Sequence, residues 1–280
     1  MAELVLTLLA KKGGVGRTMH TQNLAGAFAE NNLRVLAIDL DHQGSLTANF
    51  FGESVVSQLQ PHETVAALFD EDREPDYLTL LRETAIKNLY VAPSSEHLQR
   101  FDLPQPLSLG ERQFAVRDFI QAVGQYFDVV LIDTPPNIGN LPAWAALMAA
   151  DYVLTPIQPQ KNPMEALIDG SVQIANAIAH GNPNLVYLGC FVTNLQRRRT
   201  IQKMVSSRLR QLYQSQVFET MLISRPTFEE AAYYFQPVTH YAPKSEAAEM
   251  IRDLLVEVVR RIQDSPKVDF ETDELKVACV

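Results

Sequence analysis

Near the start of the chain, Lys11-Lys12-Gly13-Gly14-Val15-Gly16-Arg17-Thr18 brings glycines, cations and a hydroxyl into one short loop. Glycine at 13, 14 and 16 lets the backbone turn tightly and aim successive N–H groups inward, which makes a nest for an anion. The helical run that follows, Thr21 to Glu30, points its positive dipole end at the same spot. Thr18 stands where a phosphate-loop hydroxyl reaches Mg²⁺. The chemistry is phosphate binding. The alternative is a glycine-rich turn without a ligand, and the order strand, loop, helix favours the first reading.

Acids follow at two further points. In Ala37-Ile38-Asp39-Leu40-Asp41-His42-Gln43-Gly44, residues two apart on a strand share a face, so Asp39 and Asp41 are both expected to project toward the loop. Two carboxylates beside a phosphate repel unless a cation intervenes, and Mg²⁺ fits that need. After the apolar run Val129 to Ile132 comes Asp133-Thr134-Pro135-Pro136. A carboxylate leaving a buried strand there is the expected partner of the magnesium hydration shell, and the prolines stiffen its loop.

A different chemistry belongs to Arg197, Arg198, Arg199, Lys203, Arg208 and Arg210, six of the chain's 24 cations in one stretch that holds no acid. A solvated helix face is the bland reading. The other is non-specific contact with the phosphates of double-stranded DNA, which would be strongly salt-dependent. Consecutive arginines fan around a helix axis, whereas Lys203 and Arg210, seven apart, align. No aromatic interleaving or base-reading motif accompanies them, so sequence specificity is not expected. Arg225 is a further candidate.

Alternating elements must hold these groups. Apolar runs at Leu4–Leu9, Val35–Ile38, Leu89–Val91, Val129–Ile132, Tyr152–Leu154 and Val186–Leu188 read as strands buried on both faces. Helix-period segments near 17–31, 111–125, 140–149, 163–180, 199–213 and 245–263 separate them. The pattern predicts an α/β fold: one domain with a mainly parallel twisted sheet, helices on both faces, and ligands at the carboxyl ends of the strands. Residues 1–263 form that domain and 264–280 a tail. Residues 53–109 are less regular, with short helices and loops around one strand.

Composition sets the limits. The chain has 280 residues, 46% hydrophobic and 20% charged, which is ordinary for a globular protein. Its net charge of −9 argues against an evenly basic nucleic-acid binder. Leu141 to Ala150, the longest apolar stretch, is about half of what a bilayer requires, and no leader pattern opens the chain. The acidic segment Asp269 to Leu275 does not suit a membrane-binding helix, so no membrane partner is expected. Cys190 and Cys279 form neither a disulfide framework nor a paired cluster site, which fits a reducing cytoplasm.

Taken together, Lys12-Gly-Gly-Val-Gly-Arg-Thr, Asp39-Leu-Asp41-His-Gln-Gly, Asp133-Thr-Pro-Pro, Pro156-Ile-Gln-Pro and Pro237-Val through Pro243-Lys-Ser resemble the ParA/MinD family, whose phosphate loop is a deviant Walker A motif. The likeness runs from about Leu4 to Gln263 and is closest to ParA-type proteins without an N-terminal helix-turn-helix domain. It implies a P-loop NTPase fold, with ATP and Mg²⁺ bound by Lys12, Gly13, Gly14, Val15, Gly16, Arg17, Thr18 and Met19. Lys12, with Lys11 as a possible substitute, would be the lysine that reaches across a homodimer to the partner's phosphates. Asp41 would orient the attacking water, and Thr18, Asp39 and Asp133 would surround the metal. Asn194, after a late strand, would contact adenine unless it is a plain turn residue. A ParB-like protein would stimulate hydrolysis, and the location would be cytoplasmic, on the nucleoid.

Two positions depart from the family's pattern. Arg17 stands where the family has the lysine that braces the β- and γ-phosphates, and a planar fork does not simply replace a compact ammonium. Met19 stands where a second hydroxyl is usual. Lys12, Arg17 and Asp41 are therefore the expected catalytic set, with an alternative in which Arg17 leaves a nucleotide-gated DNA scaffold that scarcely hydrolyses ATP.

Overall fold

A computed structural model describes residues 2–104, 106–159, 163–196 and 200–265, apart from the side chains of 163–166. The expected Arg197, Arg198, Arg199 cluster and most of the tail, Cys279 included, lie outside the described residues. Eight strands form one sheet: β1 Leu4–Leu8, β2 Val35–Asp39, β3 Arg82–Glu83, β4 Leu89–Ala92, β5 Val129–Asp133, β6 Tyr152–Ile157, β7 Val186–Leu195 and β8 Val217–Ile223. They lie in the order β3-β4-β2-β5-β1-β6-β7-β8, and β3 alone among them runs antiparallel to its neighbour. Such a sheet must be covered on both faces, because its strands are apolar on both.

Alternation along β1 sends Leu4, Leu6 and Leu8 to one face. There they pack with Leu24 and Phe28 of α1 (Arg17–Glu30) and Ile251, Leu254 and Val258 of α10 (Glu246–Gln263). The opposite face carries Val5, Ile38 and Ile132 against Phe119 of α4 (Ala115–Val123) and Leu141 of α5 (Leu141–Ala149). Helices α6 (Pro163–His180) and α7 (Thr200–Tyr213) extend this second layer. The first layer is completed by α2 (Ser45–Phe51), α3 (Glu53–Val56), α8 (Pro226–Tyr233) and α9 (Val238–Tyr241). Side chains cap the long elements where the sequence allows. Asn140 accepts from the Ala143 amide at the start of α5, and Ser245 accepts from the Ala248 amide at the start of α10.

Several expectations need correction. The helix expected over 111–125 is a central α-helix between two 3₁₀ turns, Gly110–Phe114 and Gly124–Tyr126. Strand β7 runs on to Leu195, so Asn194 lies within a strand, not after one. Strand β8 was missed because Val-Phe-Glu-Thr-Met-Leu-Ile alternates only weakly; as the last strand of the sheet it has one strand neighbour. Register then fixes the site. Leu8 of β1 and Asp39 of β2 both pair with Asp133 of β5, which brings two carboxylates to neighbouring strand ends beside the phosphate loop.

Helix α1 is clamped by α9 through Gly26. A Cβ there would lie 2.4 Å from the Pro237 Cβ, and the proline ring cannot give way. Gly26→Ala is expected to lower the urea unfolding free energy by about 1–3 kcal/mol, as an overpacked core does.

Candidate nucleotide site

Gly14 and Gly16 adopt left-handed backbone angles (φ 73° and 89°), which glycine takes without a steric penalty. No side chain caps the N-terminus of α1 and no acid sits in its first turn, so the dipole end is left to an external anion. The loop's tip is tied down, since Gln158 at the end of β6 donates to the Gly14 carbonyl at 2.6 Å. Lys11 is drawn aside into an ion pair with Asp169 of α6 at 2.7 Å. That separates the two adjacent lysines, and Lys12 is exposed at the loop.

The acids are arranged less symmetrically than their spacing suggested. Asp133 accepts from the Thr18 hydroxyl at 2.7 Å and is fully buried. Asp39 is also fully buried and ends β2, so Asp41 lies two residues past the strand, where its charge still acts on Asp39, Asp133 and Arg17. Asp39 turns toward α2, accepting from the Thr47 amide and hydroxyl at 2.9 and 2.8 Å and from the Asp41 amide at 3.2 Å. Asp41 accepts from the Gln43 amide at 3.0 Å and is nearly buried. Desolvation pushes Asp39 up to about 7, and desolvation followed by the Asp39 charge pushes Asp133 up to about 8. Two such groups do not both ionise cheaply without a counter-cation.

Arg17 is turned under the loop, not out toward it. Its Nε donates to the Thr134 carbonyl at 2.9 Å, and Nη1 donates to the carbonyls of Lys12, at 3.0 Å, and Ala10. Burial lowers its pKa, and the charges of Asp133 and Asp41 act in the opposite direction. The side chain thus joins both ends of the phosphate loop's entry to the segment after Asp133. This agrees with the expectation that a planar fork does not simply replace a compact ammonium: three of its donor contacts are spent on backbone.

Beside the loop lies a cleft of about 190 Å³, lined among others by Gly16, Met19, Thr193, Asn194, Ser224 and Arg225. Asn194 has a left-handed backbone angle (φ 53°), tolerated best by asparagine among residues with a side chain. Arg225, also an expected DNA contact, borders this cleft and holds Glu246 through contacts of 2.7–2.9 Å. On α7, Lys203 and Arg208 are exposed, and Arg208 donates to Gln211 at 2.8 Å. Arg210, exposed as well, donates to the Glu219 carbonyl of β8 at 2.6 Å.

His20 was not singled out by its sequence context. It is fully buried on α1, 2.6 Å from the Thr193 hydroxyl, and its Nδ1 has no partner among the described residues. Burial pulls its pKa down to about 3, so it is neutral at ordinary pH. The available signal was the run Arg-Thr-Met-His-Thr-Gln-Asn opening a helix without an apolar stripe. Such a helix buries polar groups.

A family model described as an AAA domain matches residues 4–186. The chain belongs to this family, in its ParA/MinD branch. Sporulation initiation inhibitor protein Soj of Bacillus subtilis is 27% identical over 91% of this chain and 97% of its own length. Chromosome partitioning protein ParA of Myxococcus xanthus is 28% identical over 94% of this chain and 89% of its own. Cobyrinic acid a,c-diamide synthase from Mycobacterium smegmatis, solved with ADP and magnesium, is 26% identical, with a TM-score of 0.70 over 84% of this chain and 91% of that one. The expected family and the single α/β P-loop fold are both borne out.

The raised carboxylates give stability a definite pH dependence. The folded chain keeps protons that the unfolded chain releases near pH 4, so their contribution is full below that and lost as pH rises through about 7 to 8. Scanning calorimetry without metal is expected to show a melting temperature falling between about pH 5 and 8.5. Asp133→Asn should flatten that decline.

Proposed function

We propose that this protein is an ATP- and Mg²⁺-dependent ATPase that forms a homodimer on ATP, binds DNA non-specifically and positions a plasmid, chromosome or other cargo with a ParB-like activating partner. The observation that carries the nucleotide reading is the uncapped α1 terminus behind a left-handed glycine loop, faced by two buried strand-end carboxylates. The residues present fit the metal. Thr18, Asp39 and Asp133 supply hard oxygen atoms, and the protonation pressure on both acids is what a divalent cation relieves. Among the described residues no group of three His, Cys, Asp or Glu could hold a metal unaided, so phosphate and water oxygens would complete the shell. When bound, the cation would neutralise charge on the phosphates.

The chain's own residues divide the remaining tasks. Amides of residues 13–18 and the exposed Lys12 bind phosphate, Lys12 from across the dimer. Asn194 and the cleft wall around Met19 take the base. Asp41, nearly buried and held by the Gln43 amide, orients water for attack. Exposed Lys203 and Arg208, together with Arg197, Arg198 and Arg199, supply phosphate contacts to DNA. Arg210 and Arg225 contribute less, because backbone carbonyls and Glu246 hold them. The proposed location is the cytoplasm, on the nucleoid; among the described residues no helix is long and apolar enough to cross a membrane.

A second reading, a nucleotide-gated DNA scaffold with little hydrolysis, is favoured by one observation, the engagement of Arg17 with three backbone carbonyls. Steady-state phosphate release with DNA and partner separates the two. Turnover by the unaltered chain that is abolished by Asp41→Ala supports the ATPase; turnover that emerges only with Arg17→Lys supports the scaffold. Calorimetry with magnesium-ATP tests the common premise, and absence of heat would remove both.

Two further outcomes are expected. Lys12→Ala should weaken ATP-linked dimerisation, read by sedimentation, more than it weakens nucleotide binding to the monomer. Lys203→Glu with Arg208→Glu should lower DNA retention at low salt by roughly tenfold or more, while nucleotide affinity is unchanged.

A further inference from the structure

His20 has no task in the nucleotide reading, yet its ring sits between the two halves of that site. In the first turn of α1 its amide donates to the Gly16 carbonyl at 2.9 Å. A Cβ on Gly16 would lie 3.1 Å from the imidazole Nε2, so the ring packs directly against the phosphate loop. The same Nε2 is 2.6 Å from the Thr193 hydroxyl of β7, and Phe191 stands edge-on to the ring at 4.9 Å. His20 is fully buried and Thr193 nearly so, while the other ring nitrogen, Nδ1, has no partner among the described residues. Burying a half-satisfied imidazole costs free energy that an apolar side chain would not.

Thr193 gains an anchor from this contact where strand pairing is irregular. The ladder to β6 ends at Val192, and the ladder to β8 shifts register between Val192 and Leu195. Asn194, the next residue, has its left-handed angle here and lines the cleft together with Gly16 and His20. One imidazole therefore joins the last glycine of the loop to the residue before the asparagine, at the point where the backbone ladder gives least support.

We propose that His20 is a positioning residue for base recognition: through Thr193 it holds Asn194 in place relative to the phosphate loop, so that preference for adenine depends on it while the grip on triphosphate does not. The inference rests on the proposed nucleotide reading, with Asn194 at the base. A carboxamide can accept from the 6-amino group of adenine and donate to the neighbouring ring nitrogen. Hypoxanthine reverses that order, with a 6-oxo acceptor beside a ring N–H. A carboxamide free to turn over pairs with both bases, so only one held in a fixed pose distinguishes them.

The test is titration calorimetry of the full chain with the magnesium complexes of ATP, ITP and tripolyphosphate, the last reading the loop without a base. The unaltered chain is expected to prefer ATP to ITP by roughly tenfold or more, as a fixed two-point pairing does. His20→Ala and Thr193→Val should each shrink that preference at least about threefold and leave tripolyphosphate affinity within about twofold, a division that general loosening of the site would not produce. The double variant should fall no further than either single one, because both remove the same contact. His20→Gln, whose amide nitrogen can take the place of Nε2, should keep the preference. Thr193→Val, which preserves side-chain shape, carries the test if His20→Ala melts early. An unchanged preference in Thr193→Val, additive losses in the double variant, loss of preference in His20→Gln, or equal losses for ATP and tripolyphosphate would overturn the proposal. Equal binding of ATP and ITP by the unaltered chain sinks this inference alone, whereas no heat with any of the three ligands removes the nucleotide reading as well.

Discussion

Two carboxylates buried on adjacent strand ends, Asp39 and Asp133, are the constraint around which the rest of the site is arranged. Parallel pairing sets their backbones side by side, and the sheet's apolar faces exclude the water that would screen them. Hydrogen bonds from Thr47, Thr18 and the Asp41 amide satisfy several of their oxygen atoms but do not cancel their mutual repulsion. A fold keeps such a pair only where something else repays the cost, and a cation beside a phosphate nest does so.

Arg17 modifies that arrangement. A lysine in a phosphate loop presents a compact ammonium, whereas this guanidinium is planar and spreads its donors over the carbonyls of Ala10, Lys12 and Thr134. The loop and the segment after Asp133 are thereby joined by one side chain. Movement at either end is felt at the other, which is a property of a brace as much as of a phosphate ligand. His20 performs a similar joining task one turn further along α1, where it meets Thr193 beside the cleft.

Most of the architecture was legible because its signals are local. Apolar runs such as Val129–Ile132 and Val35–Ile38 mark strands buried on both faces, and glycines at 13, 14 and 16 mark a turn that few other residues can make. The elements missed were those with weak local signals. Strand β8 needs only one strand neighbour, and the helix near 111–125 frays into 3₁₀ turns at both ends. Among site residues, Thr18 and Asp133 meet as expected, while Asp41 stands beyond the strand it was expected to share with Asp39, because the strand stops two residues earlier.

The sequence by itself determined the phosphate nest, the alternation of strands and helices, and the kinds of residue that could meet a triphosphate and its metal, since each depends on neighbours a few positions apart. Tertiary structure alone decided which lysine is drawn aside to Asp169, where the Arg17 fork is spent, that Arg225 pairs with Glu246 at the cleft's edge, and that His20 is buried against Thr193. Those outcomes turn on partners tens to hundreds of residues away. Long charged side chains and buried polar groups settle on whichever partner the packing offers, and no local pattern encodes that choice.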